Sequence, residues 1–513
     1  MAEDSVDQRD DRPLYLRGAV QLENGLVAGA AAPENEEIST FKGLPFAKPP
    51  VGERRWRAPE PPESWDGVRD ATKFAPSCPQ DSGGDIAMFG LPDDAPKSED
   101  CLYLDVWTGA QTGAERRPVM VWFCGGGFYI GASSQPMYNG VCLAESGAVV
   151  VLVNYRVNVL GGFAHPALSA ESGHGASGNY ALMDQSASLR WVRDNIAAFG
   201  GDPDNVTIFG ESAGSRSVAL HLISPLSRGL FHRGICQSGG LRNVNGSLAT
   251  REDMGLEIAA KLGCDKAADP LAALRAQSWE SLAGALDFDS NPFVDGWVVP
   301  DDPQSLYEAG DVAAAQMIVG VNGNEGGLFT RNYAESFASV EKINAVWAHA
   351  HGDKAEAVAA LYPADGDGAA FDAMTAYEGD IRYAAPARNL ARLLVDAGVP
   401  VYFYHFTHTP PWRVGRALGA HHGAELAYIF GGGVRCGQFK YDGYKAQSDR
   451  TLSLAMRAYW ANFAATGDPN QAGSPHWPCY DRQGGAYIDF GEEPTVRDGF
   501  GVAALDKLEA VLA

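Results

Sequence analysis

The sequence lacks any run of 18 consecutive apolar residues, so it offers no candidate transmembrane helix. Only eight of its 513 residues are cysteines, too few for a scaffold built from disulfides. No pair of them has the CxxC spacing that is typical of structural zinc sites. The opening segment MAEDSVDQRDDRP is acidic, whereas a signal peptide is basic and then apolar. We therefore expect a protein that stays inside the cell, or a secreted or periplasmic one whose leader has been removed.

Basic residues are also scarce, since the sequence has 40 Lys and Arg but 64 Asp and Glu. The formal net charge is −24. Such a surface repels nucleic acids and anionic membranes, so we expect no nucleic-acid partner and no stable membrane insertion. The hydrophobic content of 45% and charged content of 20% are those of an ordinary soluble protein with ample core. The chain is expected to act as a monomer or homodimer.

What the sequence does contain is a series of buried strands. The runs LYLDVW, PVMVWF, AVVVLVNY and NVTIFG are continuously apolar, as in a sheet covered on both faces. The helical pattern YALMDQSASLRWVRDNIAAF separates the last two, and this alternation predicts an α/β fold with a large, mostly parallel sheet flanked by helices. QMIVGVN and VYFYHFTH predict further strands, and TLSLAMRAYWANFAATG predicts a closing helix. We expect a disordered N-terminus at 1–13 and a single domain at 14–513, with helical insertions over the active site.

The most specific motif is Gly210-Glu211-Ser212-Ala213-Gly214. It follows the strand NVTIFG and precedes SVALHLI, which can form a helix, and this is the strand–turn–helix setting of a nucleophile elbow. Ser212 is therefore the candidate nucleophile of an α/β-hydrolase. A glycine-rich loop, Gly125-Gly126-Gly127, follows PVMVWF, and we assign the oxyanion-hole donors to the N–H groups of Gly126, Gly127 and Ala213.

The acid and the base must follow the serine in this fold. Glu325 comes directly after QMIVGVN and is the preferred acid, whereas the competing Asp295 precedes that strand and is interpreted as shaping a turn. His421 and His422 lie in a loop beyond a strand end, the expected place for a base. Position alone does not decide which of these two histidines is the base. Apart from His476, the other histidines after Ser212 are less well placed, because they lie near the elbow, in a helical stretch or in a strand (His221, His232, His349, His351, His405 and His408).

Taken together, these motifs resemble the type-B carboxylesterase and cholinesterase family over nearly the whole chain. The resemblance implies an α/β-hydrolase with Ser212 as nucleophile, Glu325 as acid and His422 as base, because the family's His-Gly-x-Glu motif is matched by His422, Gly423 and Glu425. The matching segments are FKGLPFAKPPVGERRWRAPEP, SEDCLYLDVW, GGGFYIGASS, NYRVNVLGGF, GNYALMDQSASLRWVRDNIAAFGGDPDNVTIFGESAG, SPLSRGLFHRGICQSGG, VGVNGNEGGLF and HGAELAYIFG.

The resemblance also implies supporting roles. Ser238 is similar to a partner of the acid, and Glu211 is similar to a residue that lines the pocket beside the nucleophile. A Cys78–Cys101 disulfide and two ion pairs, Lys42 with Glu99 and Arg156 with Asp184, are implied in the scaffold. A set of aromatic residues flanks the motifs and is hypothesised to line an apolar gorge (Phe128, Tyr129, Phe293, Trp297, Phe329 and Tyr428).

The implied activity is hydrolysis of a small-molecule carboxylic ester through an acyl-enzyme, with no metal or organic cofactor. Acetylcholine is disfavoured, because the loop between Cys78 and Cys101 has no Trp and Leu328 replaces an aromatic residue of the cation site. Cys124 is interpreted as a small buried hydrophobe.

Arg216 is interpreted as part of a buried ion pair, with attraction of an anionic substrate as the alternative. Some members of the family that the chain resembles remove anionic acyl groups from toxins such as fumonisins, so a specialised esterase for a bulky or anionic ester stays open. A non-catalytic binding protein is disfavoured because every triad position is filled. A lipase lid would have only Ile86, Met88, Phe89 and Leu91 in the 80–98 loop.

Overall fold

The structure, a computed structural model, describes residues 12–81, 91, 95–241, 244, 246–285, 288–431, 435–436, 439–440, 446–501 and 503–512. Of the N-terminus predicted to be disordered, 1–13, residues 1–11 lie outside the described residues, as does most of the 80–98 loop. The strands are β1 (Val20–Leu22), β2 (Gly25–Ala28), β3 (Ala30–Ala32), β4 (Asn35–Pro45), β5 (Val68–Asp70), β6 (Tyr103–Thr108), β7 (Arg117–Phe123), β8 (Val149–Val153), β9 (Gly201–Glu211), β10 (Arg233–Gln237), β11 (Gln316–Asn322), β12 (Val401–Phe406), β13 (Arg435–Cys436), β14 (Phe439–Lys440), β15 (Tyr487–Phe490) and β16 (Pro494–Arg497).

Eleven of these strands form one sheet in the order β16-β15-β12-β11-β10-β9-β7-β8-β6-β4-β3. The pairings from β15 to β8 are all parallel, whereas β16 at one edge and β6, β4 and β3 at the other pair antiparallel. The described residues also contain a small sheet of β1, β2 and β5 and a β13–β14 ribbon. The expected α/β-hydrolase fold with a mostly parallel sheet is confirmed.

Helices cover both faces of the parallel part, and this accounts for the continuous apolar runs of its strands. All five residues of β8 are buried, and so are the last five of β7. The helices are α1 (Val141–Glu145), α2 (Asn158–Gly162), α3 (Pro166–Glu171), α4 (Tyr180–Asn195), α5 (Ala213–Ile223), α6 (Leu248–Lys261), α7 (Pro270–Arg275), α8 (Trp279–Ala283), α9 (Pro303–Glu308), α10 (Gly327–Thr330), α11 (Val340–His351), α12 (Ala355–Leu361), α13 (Asp367–Gly379), α14 (Ala385–Asp396), α15 (Arg413–Leu418), α16 (Leu426–Phe430), α17 (Gln447–Thr466) and α18 (Leu505–Leu512).

The sheet brings five distant segments to one edge, because parallel strands end on the same side. Ser212 follows β9, Ser238 follows β10, and Glu325 lies three residues beyond β11. The glycine-rich loop starts two residues after the end of β7. His421 and His422 lie between α15 and α16, beyond the end of β12. The fold therefore gathers the predicted site residues at the carboxyl edge.

One predicted scaffold ion pair is formed and the other is wrong. Arg156 and Asp184 make a bidentate pair with both side chains almost fully buried. Glu99, however, pairs with Arg55 and not with Lys42. The Lys42 ammonium lies 4.3 Å from the centre of the Phe74 ring, a cation–π contact. Lys42 lies within β4 and Arg55 lies beyond its end, and only the fold decides which of the two cations reaches Glu99.

Cys78 and Cys101, the predicted disulfide partners, lie side by side as buried free thiols. A hydrogen bond between the two thiols, together with burial, raises the pKa of Cys101 well above its usual value. The fold thus brings the partners together, and the disulfide itself stays a prediction. In the part of the chain that the structure describes, no helix is long and apolar enough to cross a membrane.

The buried pair on α4 yields a test of stability. Asp184→Asn leaves the Arg156 guanidinium buried without its counter-charge, and such losses cost about 3–5 kcal/mol of unfolding free energy. The matched control is Asp194→Asn on the same helix, because Asp194 forms an exposed pair with Arg193 and should change stability by about 0.5 kcal/mol or less. Urea unfolding of both variants measures this. Equal midpoints would contradict the structural role of the buried pair.

Candidate active site

The Ser212 turn is a close approach of three backbone segments. Ser212 has φ 57° and ψ −116°, a strained conformation for a residue with a side chain. A Cβ on Gly210 would lie 2.4 Å from the carbonyl carbon of Gly214, and a Cβ on Gly214 would lie 1.9 Å from the Phe123 carbonyl oxygen. The two glycines of the motif are therefore required by space. The Ser212 N–H donates to the Gln237 carbonyl at 2.9 Å and holds the turn to the end of β10.

The glycine-rich loop packs directly against this turn. A Cβ on Gly125 would lie 3.2 Å from the Ser212 Cβ and 2.7 Å from Glu211 Oε2. Gly126 and Gly127 have φ of 109° and 66°, where a side chain is strained. Their N–H groups donate no hydrogen bond to any residue that the structure describes. Two backbone donors are thus open beside the serine, as an oxyanion hole requires.

Glu325 and His422 meet in a short hydrogen bond. His422 Nδ1 lies 2.6 Å from Glu325 Oε2, and both side chains are almost fully buried. The second carboxylate oxygen accepts the N–H of Asn322 at 2.6 Å, a contact that the sequence analysis missed. A carboxylate on Nδ1 fixes the imidazole tautomer and leaves Nε2 to react.

The structure separates the two adjacent histidines. His421 Nδ1 lies 2.8 Å from the carbonyl oxygen of His422, so this ring nitrogen is bonded to the backbone and not to Glu325. Burial lowers the pKa of His421 to about 4, so its ring is neutral at pH 7. Only His422 contacts the acid. Asp295 is also explained, since its Oδ1 accepts three successive N–H groups and shapes a turn, as expected (Trp297, Val298 and Val299).

Glu211 contacts the reactive nitrogen of the base. Its Oε1 lies 3.0 Å from His422 Nε2, so the imidazole is placed between two carboxylates. Burial lowers the pKa of His422, but the neighbouring carboxylates of Glu211 and Glu325 outweigh burial and raise that pKa well above its usual value. Burial also disfavours the charged form of Glu211, and this raises the pKa of that carboxyl group. The resemblance implied that Glu211 lines the pocket, and the structure adds that it touches the base.

Two aromatic rings pack on the imidazole. The centroid of Tyr383 is 4.4 Å and that of Phe329 is 5.1 Å from the His422 ring. Phe329 was among the predicted gorge residues, whereas Tyr383 was missed. Tyr383 lies in a π-helix, Asp380–Ala384, between α13 and α14. Such turns often occur at functional sites, but no sequence signal marks this one.

The other predicted gorge aromatics differ in placement. Tyr129 is 41% exposed beside Gly127, and Phe128 is buried with its ring facing Tyr155 and Arg216. The printed contacts of the remaining three are with other residues: Phe293 is bound through its backbone to Asn179, Trp297 stacks on His174, and buried Tyr428 donates to Asp449. That these aromatics line a gorge stays a prediction.

The hydroxyl of Ser238 does not support the acid, contrary to expectation. Among the described residues Ser238 Oγ is buried without a hydrogen-bond partner, and only its N–H is bonded, to the Gly320 carbonyl. A third buried carboxylate, Glu425, accepts hydrogen bonds from Gln237 and Asn322. Burial and the charge of Glu211 raise the pKa of Glu425 to about 8, so it is mostly protonated at pH 7.

Two further features considered for the site are a metal centre and a lipase lid. No group of three or more His, Cys, Asp or Glu in the described ranges has the geometry to hold a metal ion. Of the four apolar residues proposed for a lipase lid, Leu91 is buried, and Ile86, Met88 and Phe89 lie outside the described residues.

Comparison with known proteins gives consistent matches along the chain. The model of the carboxylesterase family matches residues 17–506. A fumonisin B1 esterase of Sphingopyxis macrogoltabida is 37% identical over 505 residues, covering 97% of this chain and 90% of that protein. A human cocaine esterase is 36% identical, covering 90% of this chain and 85% of its own length. Mouse carboxylesterase 1C is 34% identical, covering 89% and 85%.

The contact between Glu211 and His422 predicts a pKa change. Glu211→Gln removes a negative charge that favours the imidazolium, so the pKa of His422 should fall. Histidine-selective NMR titration of the ring protons measures this directly. The matched control is Glu493→Gln, an exposed carboxylate beside β16, which should leave the titration unchanged. An unchanged or higher pKa in Glu211→Gln would contradict the contact.

Proposed function

Because the chain belongs to the carboxylesterase family and is a carboxylic ester hydrolase, we propose that it uses Ser212, His422 and Glu325 as its catalytic triad. The observation that carries this proposal is the 2.6 Å contact of Glu325 with His422 Nδ1 at the sheet edge where Ser212 occupies a strained turn. The substrate is a small-molecule carboxylic ester. Two of the three relatives are named for different esters, fumonisin B1 and cocaine. These names alone do not define the ester that this chain cleaves.

Acylation starts when Ser212 Oγ attacks the carbonyl carbon of the ester. His422 Nε2 takes the hydroxyl proton, so it has to exchange its contact with Glu211 for one with Ser212. Glu325 keeps the proton on Nδ1 and stabilises the imidazolium that forms. His422 then returns a proton to the departing alcohol and leaves the acyl group on Ser212.

The oxyanion of the tetrahedral intermediate is held by the N–H groups of Gly126, Gly127 and Ala213. Ala213 begins α5, and the first N–H groups of a helix have no partner within it. Water then attacks the acyl-enzyme while His422 Nε2 takes its proton. The acid product leaves with Ser212 restored, so the cycle needs no cofactor.

The proton-transfer step has a pH dependence with a definite sign. His422 has to be neutral to accept a proton, so kcat/KM is lost as the pH falls through the raised pKa of His422. Glu211 stabilises the imidazolium of His422 in the transition state. It also lowers the fraction of enzyme molecules in which His422 is neutral near pH 7. The acid limb of the rate profile should therefore move to lower pH in Glu211→Gln.

The nucleophile is tested with 4-nitrophenyl acetate, butyrate and octanoate. Ser212→Ala should lower kcat by about 10⁴-fold or more on each, since the loss of a triad serine has effects of this order. The matched control is Ser217→Ala on the same helix, whose hydroxyl bonds the Ala213 carbonyl and should change kcat by about threefold or less. Equal activity of wild type and Ser212→Ala would overturn the assignment.

The oxyanion loop is tested by Gly126→Ala. The new Cβ would lie 2.3 Å from the Ile130 carbonyl oxygen, so the loop has to move. Its N–H groups would then no longer point at the oxyanion. We expect kcat to fall about 100- to 1,000-fold.

The control for backbone strain alone is Gly147→Ala. Gly147 has φ 97° but no atom within 4 Å of an added Cβ, so this variant should lose stability and keep its kcat. Circular dichroism checks that both variants fold. A fully active Gly126→Ala would contradict the role of the loop.

A further inference from the structure

The acid and the base of the site come from separate parts of the chain. Glu325 follows β11, whereas His422 lies 97 residues later, in the loop between α15 and α16. Their 2.6 Å hydrogen bond therefore depends on contacts that hold this loop against the end of β11. Asn322 makes contacts of this kind on both sides.

Asn322 is the last residue of β11 and is 4% exposed. Its backbone N–H donates to Glu325 Oε1 at 2.6 Å. Its side-chain Nδ2 donates to the carbonyl oxygen of His421 at 2.9 Å, and this carbonyl belongs to the peptide group that His421 shares with His422. One residue thus holds the carboxylate of the acid with its backbone and the peptide group of the base with its side chain.

The side-chain amide of Asn322 has a second acceptor beyond the base. Nδ2 also donates to Oε2 of Glu425, which is the N-cap residue of α16. A side-chain amide nitrogen carries two hydrogens, so both are used here. The two bonds reach the loop directly before His422 and three residues after it. They therefore restrain the backbone segment that carries the imidazole.

Both acceptors of this amide also have another donor. The His421 carbonyl accepts the Ala424 N–H at 2.9 Å, and Oε1 of Glu425 accepts a hydrogen bond from Gln237. Neither group would be left wholly unbonded if the Asn322 side chain were replaced, so the cost of an unsatisfied buried group is reduced. The amide thus adds a restraint on position, and the fold of the loop does not depend on it alone.

We propose that Asn322 is a positioning residue for the base, and that its side-chain amide keeps the His422 imidazole where Glu325 can hold Nδ1. The inference rests on the proposed function, because it requires His422 and Glu325 to activate Ser212. A shift of about 1 Å in a catalytic group can lower turnover about 100-fold. Loss of the amide should therefore lower kcat, whereas KM should change little because the ester does not bind through the imidazole.

The test is Asn322→Leu, which keeps a side chain of similar size and removes both donors. With 4-nitrophenyl butyrate we expect kcat per active site to fall about 10- to 100-fold and KM to change by about threefold or less. The active sites are counted with diethyl 4-nitrophenyl phosphate, which phosphorylates the reactive serine and releases one 4-nitrophenol per site. Because the reaction is carried to completion, a misfolded fraction does not enter kcat.

A spectroscopic signal separates positioning from a general loss of stability. The Nδ1 proton of His422 lies in the short bond to Glu325, and a proton in a short, charge-assisted hydrogen bond is strongly deshielded in proton NMR. In Asn322→Leu this low-field signal should move upfield, because the bond lengthens. The signal is assigned by its absence in His422→Gln.

Asn322→Asp is the second variant, because it keeps the shape of the side chain. Its carboxyl group can donate at most one hydrogen, so kcat per site should lie between those of wild type and Asn322→Leu. If Asn322→Leu does not fold, this variant decides the question.

The matched control is Asn195→Leu. Asn195 is also 4% exposed, and its amide donates to the Trp191 carbonyl and accepts the Glu23 N–H. It ends α4, which leads to the start of β9 at the sheet edge opposite to Ser212. This variant should lose stability and keep both kcat per site and the low-field signal.

Several outcomes would overturn the inference. They are a kcat per site within about threefold of wild type in the Asn322 variants, an equal fall of kcat in Asn195→Leu, and a change in KM alone. In each case the proposed function would stand as long as Ser212→Ala abolishes turnover. A folded wild type without Ser212-dependent turnover would count against the proposed function itself.

Discussion

The close approach of β7, β9 and α5 around Ser212 is the constraint on which the rest of the site depends. Phe123 pairs with Gly210 in the sheet, and Gly214 lies so close to the Phe123 carbonyl that no side chain fits. The helix therefore starts directly above the strand ends, and the loop from Gly125 packs on the serine. The strain at Ser212 costs about 1–3 kcal/mol, and the hydrogen bond to Gln237 helps to hold it. Any side chain at these glycines would separate the nucleophile from the oxyanion donors.

Features that depend on local sequence were predictable. The apolar runs predicted β7, β8, β9, β11 and β12, whereas β10 was missed because its sequence RGICQ has no apolar run and a polar residue at each end. Glu325 could be proposed because it follows a strand. Proximity to a motif does not reveal side-chain contacts, so the stacking of Trp297 on His174 and the hydrogen bond of Tyr428 to Asp449 could not be predicted. Tyr383 and the contact of Glu211 with His422 depend on long-range packing and a π-helix, which leave no local pattern.

Three buried carboxyl groups lie in the region of the base, His422. Glu325 fixes Nδ1, Glu211 faces Nε2, and Glu425 lies in the same buried region with a pKa of about 8. Three negative charges so close together would repel each other strongly in a medium of low dielectric constant. Glu425 is mostly protonated at pH 7, and Glu211 and Glu325 are the two carboxylates that contact the ring directly. These oppose the neutral base before reaction and favour the imidazolium that forms during it, so the arrangement favours the transition state over the resting enzyme.

The overall charge and the local charge of the site act over different distances. A net charge of −24 repels an anion in bulk solution, but beyond about 8 Å such interactions between exposed groups are largely screened at physiological salt. Inside the site, the Glu211 carboxylate lies 3.0 Å from His422 Nε2 and the Glu325 carboxylate lies 2.6 Å from Nδ1. Contacts of this length in a buried region are screened little. The electrostatics of the base therefore depend on these two neighbours and not on the acidic surface.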